Sequence, residues 1–236
     1  MDKFDTLQIF LKYFSRILML LLVMPLTSSA RGLVAKWMGD DTSEREGRIT
    51  LNPTAHLDPI GAILIFLIGF GWSKPMPIQF SRMKNQRLGI ILVSLTGPVS
   101  HFLSAIVCKL IINTIDIFAN VNDDKISPLW AFMFVLSIIA NINVCLGVIN
   151  LLPLPPMDGF ILLYQFAGRK FHSWYHANYQ IVNQVSTVIL FALFFIDDLT
   201  RGRIDPLGWI ITFADIALSI VAKLPFILLA LAGLIK

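Results

Sequence analysis

The chain has 236 residues, of which 56% are apolar and only 14% charged, and its mean hydropathy is +0.73. Soluble domains carry about 25% charged residues, so these figures exclude a disordered tail, a soluble nucleic-acid binder and an ordinary water-soluble enzyme. They place the chain among polytopic membrane proteins. The net charge of +4 is the basic excess expected of cytoplasmic loops, and no nucleic-acid partner is read from it. Cys108 and Cys145 both sit in apolar runs and predict no structural disulfide.

Residues 1–16 mix charged and apolar residues and suggest a short surface helix. Residues 17–26 are strongly apolar, and Thr27, Ser28, Ser29 and Arg31 then bring polarity into the same segment. Lys12 and Arg16, the apolar run and Ser28-Ser29-Ala30 imitate a signal peptide with its cleavage site. Apolar residues resume after Ala30, however, so one membrane helix over 17–38 is the preferred reading. Residues 39–59 are polar, with a small β element expected within 45–58. The apolar run 60–72 is too short for a span and reads as re-entrant or interfacial. Lys74, Arg82, Lys84 and Arg87 lie in 73–87 without an acid, the strongest cytoplasmic signal in the chain. A span over 88–114 is interrupted by Gly97-Pro98, the acidic stretch 116–125 reads as outside, and a further span covers 129–152. A basic segment follows, with Arg169 and Lys170 on the inside. The last apolar runs are 181–196, 207–222 and 224–235, the final two split by Lys223 and Pro225 into a broken hairpin. This totals about five spans, with the N-terminus outside despite Lys3, Lys12 and Arg16. The expected fold is an all-α polytopic membrane protein in one membrane domain. It has a core over 17–170 and additional transmembrane helices over 171–236.

Three blocks carry a family resemblance. One is Asn143 through Asn150, Pro153, Pro155, Pro156, Asp158 and Gly159, in the pattern N-x-x-P-x-P-P-x-D-G. The second is Gly97-Pro98-Val-Ser-His101, and the third runs from Gly47 through Asn52, Pro53, His56, Asp58 and Pro59 to Gly61. Together they resemble the site-2 proteases, the intramembrane zinc metalloprotease family. The resemblance implies that the histidines of an H-E-x-x-H helix bind zinc with the aspartate of the D-G motif. The intervening glutamate activates a metal-bound water.

The corresponding helix here departs from that pattern. Thr27 stands at the first histidine, Ser28 at the glutamate and Arg31 at the second histidine; only Asp158 remains of the ligands. An arginine has no lone pair to donate and would repel a dication, and a serine is no general base near neutrality. The asparagine of G-P-x-x-N is His101. No metal is therefore expected, with zinc as the cofactor if the family chemistry were retained. The weighed alternative is a non-standard centre of His101, Asp158 and His56. His172 and His176 are spaced i,i+4, but their basic and aromatic company fits an interfacial helix better than a metal site. Ser28 and Ser29 lack a base at a defined spacing and read as packed polar residues rather than nucleophiles. Asn141, Asn143 and Asn150 serve either as contacts to a bound segment or as hydrogen-bonding glue between helices. The resemblance places Asn143, Asn150, His101, Gly97 and Pro98 around a cavity for substrate or partner.

The main reading is a catalytically inactive member, a pseudoprotease of the cell membrane. It binds or regulates a transmembrane segment of another membrane protein within the lipid bilayer. The alternatives are an active protease with the non-standard centre, or a structural subunit or small-solute carrier. An ion pair between Arg31 and Asp158, helped by Thr27 or Ser28, is expected where the metal would sit. The helix through Ala30 is expected to be retained, so intact-mass measurement should find no chain beginning at Arg31.

Overall fold

The computed structural model describes residues 3–119 and 127–232. It is all-helical, and five of its helices are long and apolar enough to cross a membrane. The first is longer than its apolar run suggests. Helix α1 (Lys3–Leu18) passes through a π-helical turn (Met19–Val23) into α2 (Met24–Trp37) without a break. Residues 3–16 are therefore the start of this membrane helix and not a separate surface helix. Its 34 residues from Phe4 to Trp37 are roughly 50 Å long, more than a hydrocarbon core of about 30 Å, so it tilts or projects beyond the bilayer.

Helix α3 (Thr42–Arg45) is a single turn in the loop that follows, and α4 (Pro59–Ile68) is the short apolar run. Asp58 caps α4 by accepting from the Gly61 amide at 2.9 Å, and Gly69 ends it in the left-handed region. The chain then doubles back. Its neck is closed by the Leu57–Ser73 bridge and by the Lys74 amide on the His56 carbonyl at 2.7 Å. Where the returning segment crosses α4, a Cβ on Gly61 would collide with the Trp72 carbonyl, and one on Gly71 with the Gly61 carbonyl. Two glycines thus permit a backbone-to-backbone approach that any side chain forbids. This is the expected re-entrant shape. The β element expected at 45–58 is not formed: the Leu57–Ser73 bridge stands alone outside any strand, because residues 48–58 use their polar groups on turns and on neighbouring loops.

The hairpin lies against the first helix, its neck beside Ser28 and its tip beside Arg16. Arg16 donates to the Phe66 and Leu67 carbonyls at 2.6 and 2.8 Å, and Tyr13 lies beside Phe66 with ring centroids 4.9 Å apart. The last carbonyls of a helix have no partner of their own, and at membrane depth water cannot supply one. A guanidinium at that C-terminus answers both the hydrogen bonds and the dipole. Arg16, taken by position as an N-terminal flanking charge, is a buried structural clamp.

Helix α5 (Gln86–Ala119) runs unbroken through Gly97-Pro98, which the sequence suggested as an interruption. Proline removes one backbone donor, and neighbouring helices in a membrane tolerate this. Of the acidic stretch 116–125, residues 120–125 lie outside the described residues. Helix α6 (Pro128–Asn150) returns antiparallel to α5 and parallel to the first helix, with Phe4 beside Trp130 and Met19 beside Asn143. Helices α7 (Asp158–Tyr164) and α8 (Arg169–Ala177) are short, and α9 (Tyr179–Thr200) and α10 (Pro206–Leu231) are long. The broken hairpin expected at Lys223-Pro225 is instead one helix, α10, with Pro225 inside it. Lys109 of α5 pairs with Asp215 at 2.7 Å and donates to Ser219 Oγ at 3.0 Å, which fixes α10 against the core. Buried residues of α6, with Met19, Ala105, Cys108 and Leu207, form the main core.

Replacing Gly61 by alanine should force the hairpin apart, at a cost of about 1–3 kcal/mol typical of overpacking. Thermal unfolding in detergent should show a lowered midpoint for Gly61→Ala. Gly168→Ala, where a Cβ meets nothing within 4 Å, should leave it unchanged.

Candidate functional site

The polar centre of the molecule lies where α2, α5 and α7 meet. Thr27 and Arg31 are one turn apart and so share a face of α2. Gly32, one residue on, lets the loops close over the helix, with Ile49 Cγ1, Ser43 Cβ and Met76 Cε all within 3.5 Å of the position a Cβ would take. Asp158 arrives from the opposite direction. Prolines 153, 155 and 156 cannot continue α6, and the chain turns until Gly159 lies against the Leu151 and Leu152 carbonyls, too close for any side chain. That contact places Asp158 at the start of α7, facing α2.

Arg31 Nη2 donates to Asp158 Oδ2, forming an ion pair between the first helix and α7. Asp158 keeps 9% of its side-chain surface exposed and Arg31 29%, so the aspartate is enclosed and the arginine side chain is partly exposed. Gly97 of α5 completes the centre: a Cβ there would fall on Arg31 Nη2 and within 3.0 Å of Asp158 Oδ2. The glycine of the G-P pair therefore provides the volume that the arginine occupies. The expected help from Thr27 or Ser28 is not given. Thr27 Oγ1 donates to the Met24 carbonyl at 3.1 Å, as a hydroxyl within a helix commonly does, and Ser28 Oγ is 3.0 Å from Ser73 Oγ at the neck of the hairpin.

The alternative metal set of His56, His101 and Asp158 does not assemble: among the described residues no three His, Cys, Asp or Glu side chains are placed to hold a metal. Each of the three is committed elsewhere. His101 Nδ1 is 2.8 Å from Asn143 Oδ1, which can only accept, so this nitrogen carries the proton. Asn143, fully buried, passes its amide protons to the Ile139 carbonyl at 2.9 Å and to Met19 Sδ at 3.4 Å. The chain His101–Asn143–Met19 ties α5, α6 and the π-helical turn together, so in this structure Asn143 acts as glue between helices. Pro98 is fully buried beside Gly97, while Asn150, at the end of α6, is half-buried.

His56 lies 3.4 Å from Ser29, a proximity the sequence did not disclose, but the pair is not a nucleophile and its base. Ser29 Oγ donates to the Thr50 carbonyl at 2.5 Å, and His56 Nε2 approaches the same carbonyl at 2.7 Å and must donate to it. A protonated nitrogen cannot accept the serine proton. Burial pulls the imidazole below its ordinary pKa; the bond to Thr50 opposes this, and nearby Arg48 adds to it. His56 is therefore a neutral structural residue that fastens the loop to α2. His172 and His176 likewise do not converge on a metal position. His172 Nε2 contacts the Tyr164 carbonyl at 2.9 Å, and His176 Nε2 the Tyr164 hydroxyl at 3.0 Å. Two surface cavities lie apart from the centre. One of about 210 Å³ is lined by Asn141, Thr212 and Asp215, and one of about 300 Å³ by Asn113, Asp116 and Lys223.

The model of peptidase family M50 matches residues 59–193, more than half of the chain. The chain belongs to this family, the site-2 proteases. It is 40% identical over 138 residues to a Bacillus subtilis (strain 168) protein named "Putative zinc metalloprotease YwhC", an alignment covering 57% of this chain and 60% of that relative. The chain thus spans well under two thirds of that relative's length. No solved structure gives a significant match. The matched range begins at Pro59, so it includes Gly97, His101, Asn143 and Asp158 but not the helix with Thr27, Ser28 and Arg31. The family implies zinc, and the residues present do not fit it. Zinc takes four ligands, or three and a water. Here one carboxylate faces a guanidinium that cannot ligate and a hydroxyl already turned to its own helix.

Breaking a fully buried pair costs about 3–5 kcal/mol and an exposed one about 0–1. With Asp158 enclosed and Arg31 partly exposed, Arg31→Ala should cost ~2 kcal/mol. Gly97→Ala should cost a similar amount by displacing the guanidinium, but little in an Arg31→Ala background. Thermal unfolding of the two single variants and the double variant checks this, because additive losses would separate Gly97 from the pair.

Proposed function

We propose that the chain is a catalytically inactive site-2 protease of the cell membrane, which holds a transmembrane segment of another membrane protein without cutting it. The observation that carries this reading is the guanidinium of Arg31 on the carboxylate of Asp158. In the family mechanism that carboxylate binds a metal, which generates the attacking hydroxide. Here the carboxylate is engaged by a fixed positive charge, and the position of the base is taken by Ser28, bonded to Ser73. Under this reading no group among the described residues of the centre is left to activate a water.

The rest of the centre supports binding. Gly97 lies against the pair, Ser28 meets the neck of the hairpin at Ser73, and the Arg31 side chain keeps 29% of its surface exposed. A transmembrane segment whose helix loosens there would present backbone carbonyls, to which guanidinium N–H groups donate well. The relative's printed name describes a zinc metalloprotease, and under this proposal the two proteins share the scaffold and differ in the chemistry.

The test is elemental analysis of the purified chain beside the triple variant Thr27→His, Ser28→Glu, Arg31→His. The wild type should hold substoichiometric zinc, and the variant about one zinc per chain, because two histidine ligands and a base are restored beside Asp158, the third ligand. Expressed in cells, the zinc-loaded variant should release membrane-protein fragments that the wild type leaves intact. One tightly bound zinc in the wild type, or zinc-dependent cleavage by it, would overturn the proposal.

A further inference from the structure

One face of the molecule gathers the N-terminus of α5, the C-terminus of α6 and the N-terminus of α9. The chain has no Asp or Glu from Pro59 to Ile115, nor from Gly159 to Ile196, so the bases on this face come largely from acid-free sequence. Arg87 lies at the start of α5, with its guanidinium 5.4 Å from the centre of the Phe166 ring. Arg169 and Lys170 follow Phe166 within four residues and open α8. Arg87, Arg169 and Lys170 are all exposed, and none is in an ion pair among the described residues. Of the acids on this face, Asp41 is taken by Arg45 and Arg82, Glu44 by Lys36 and Asp158 by Arg31. Asp40 accepts from Thr42 and the Gln79 amide, and exposed Glu46, in the loop after α3, is in no ion pair among the described residues.

Helix α8 has two distinct sides. Tyr175 is buried, with its ring 5.0 Å from that of Phe160, and His172 stacks on Tyr164 at 4.2 Å, so this side is seated on α7. Lys170 and Trp174, one turn apart, lie on the other side. Trp174 is 52% exposed and Phe166 64%. Helix α8 ends two residues before the apolar helix α9, and Arg87 opens the apolar helix α5. These bases and aromatics therefore stand at the level where two spans leave the hydrocarbon, among the lipid headgroups.

We propose that Arg87, Arg169 and Lys170 form a binding site for the headgroup phosphate of an anionic phospholipid, with Phe166 and Trp174 seated in the interface beside it. A guanidinium offers forked donors to phosphate oxygens, and the three charges come from two separate elements, α5 and α8, brought to one place by the contact of Arg87 with Phe166. Charge complementarity selects an anionic lipid over a zwitterionic one, whose ammonium would meet the same bases. The site ties the α7–α8 segment, which begins at Asp158, to the lipid composition around it.

The test uses the full-length purified chain in phosphatidylcholine nanodiscs, with acyl-labelled phosphatidylglycerol and acyl-labelled phosphatidylcholine as probes. The wild type should bind phosphatidylglycerol preferentially. Juxtamembrane bases contribute about fivefold each, so Arg87→Gln/Arg169→Gln/Lys170→Gln should lose the preference by at least about tenfold with unchanged thermal unfolding. Arg201→Gln/Arg203→Gln, at the other end of α9, should leave it intact. Should the triple variant unfold, Lys170→Gln alone should still lose several-fold. Equal binding of the two lipids by the wild type would overturn the proposal, as would a preference that survives in the folded triple variant. So would displacement of the labelled lipid by inorganic phosphate or an acidic peptide at equal concentration, since the site would then be one for free anions or for a protein partner.

Discussion

A charge inside a membrane must be answered by another, and the centre of this protein is organised around that requirement. Arg31 lies in a helix that crosses the bilayer, where an unpaired guanidinium costs at least a few kcal/mol, roughly 2.5–3.5 on insertion scales. Asp158 reaches it from a segment far along the chain. The pair constrains everything near it: α7 must start where it does, Gly159 must lie against the end of α6, and Gly97 must lack a side chain. A metal joining the same positions would link the same elements. The ion pair observed here links the first helix to α7 directly.

The same rule operates at smaller sites. Helix α4 ends beside the first membrane helix, where its last carbonyls would lack water, and Arg16 supplies the donors. His101 and Asn143 satisfy each other within the α5–α6 interface and bring in Met19 at the π-helical turn. Lys109 and Asp215 do so between α5 and α10. In each case a polar side chain on one helix finds its partner on another, so the polar groups double as the fasteners between elements that lipid alone would not hold together.

The hairpin of residues 57–73 and the loop before it show a second constraint, the close approach of backbones. Gly61 and Gly71 allow the returning chain to touch α4, and Gly32 allows the loops to settle on α2. Ser29, His56 and Thr50 then fasten loop to helix with two donors on one carbonyl. The polar residues just past the apolar half of the first helix are thus employed in positioning, and the only one that keeps an exposed charge at the centre is Arg31.

Hydrophobicity and loop charge are local properties. The sequence by itself therefore determined the membrane class, the number of spans, the short doubling-back segment and, through the spacing of its motifs, the family. It also anticipated the Arg31–Asp158 pair, because the motif positions carry their geometry with them. What it could not determine depended on partners distant in the chain. The apolar run at 17–26 did not reveal that the helix begins at residue 3, since one of the charges before it, Arg16, is satisfied by the hairpin tip and not by water. Pro98 and Pro225 read as breaks, but both helices run through them, Pro98 buried among its neighbours and Pro225 exposed. Thr27 and Ser28 pointed to the pair by position, yet their hydroxyls found nearer acceptors in Met24 and Ser73. A hydrogen bond takes the best-oriented partner within about 3 Å, and which partner that is depends on the folded arrangement, so only the tertiary structure decided it.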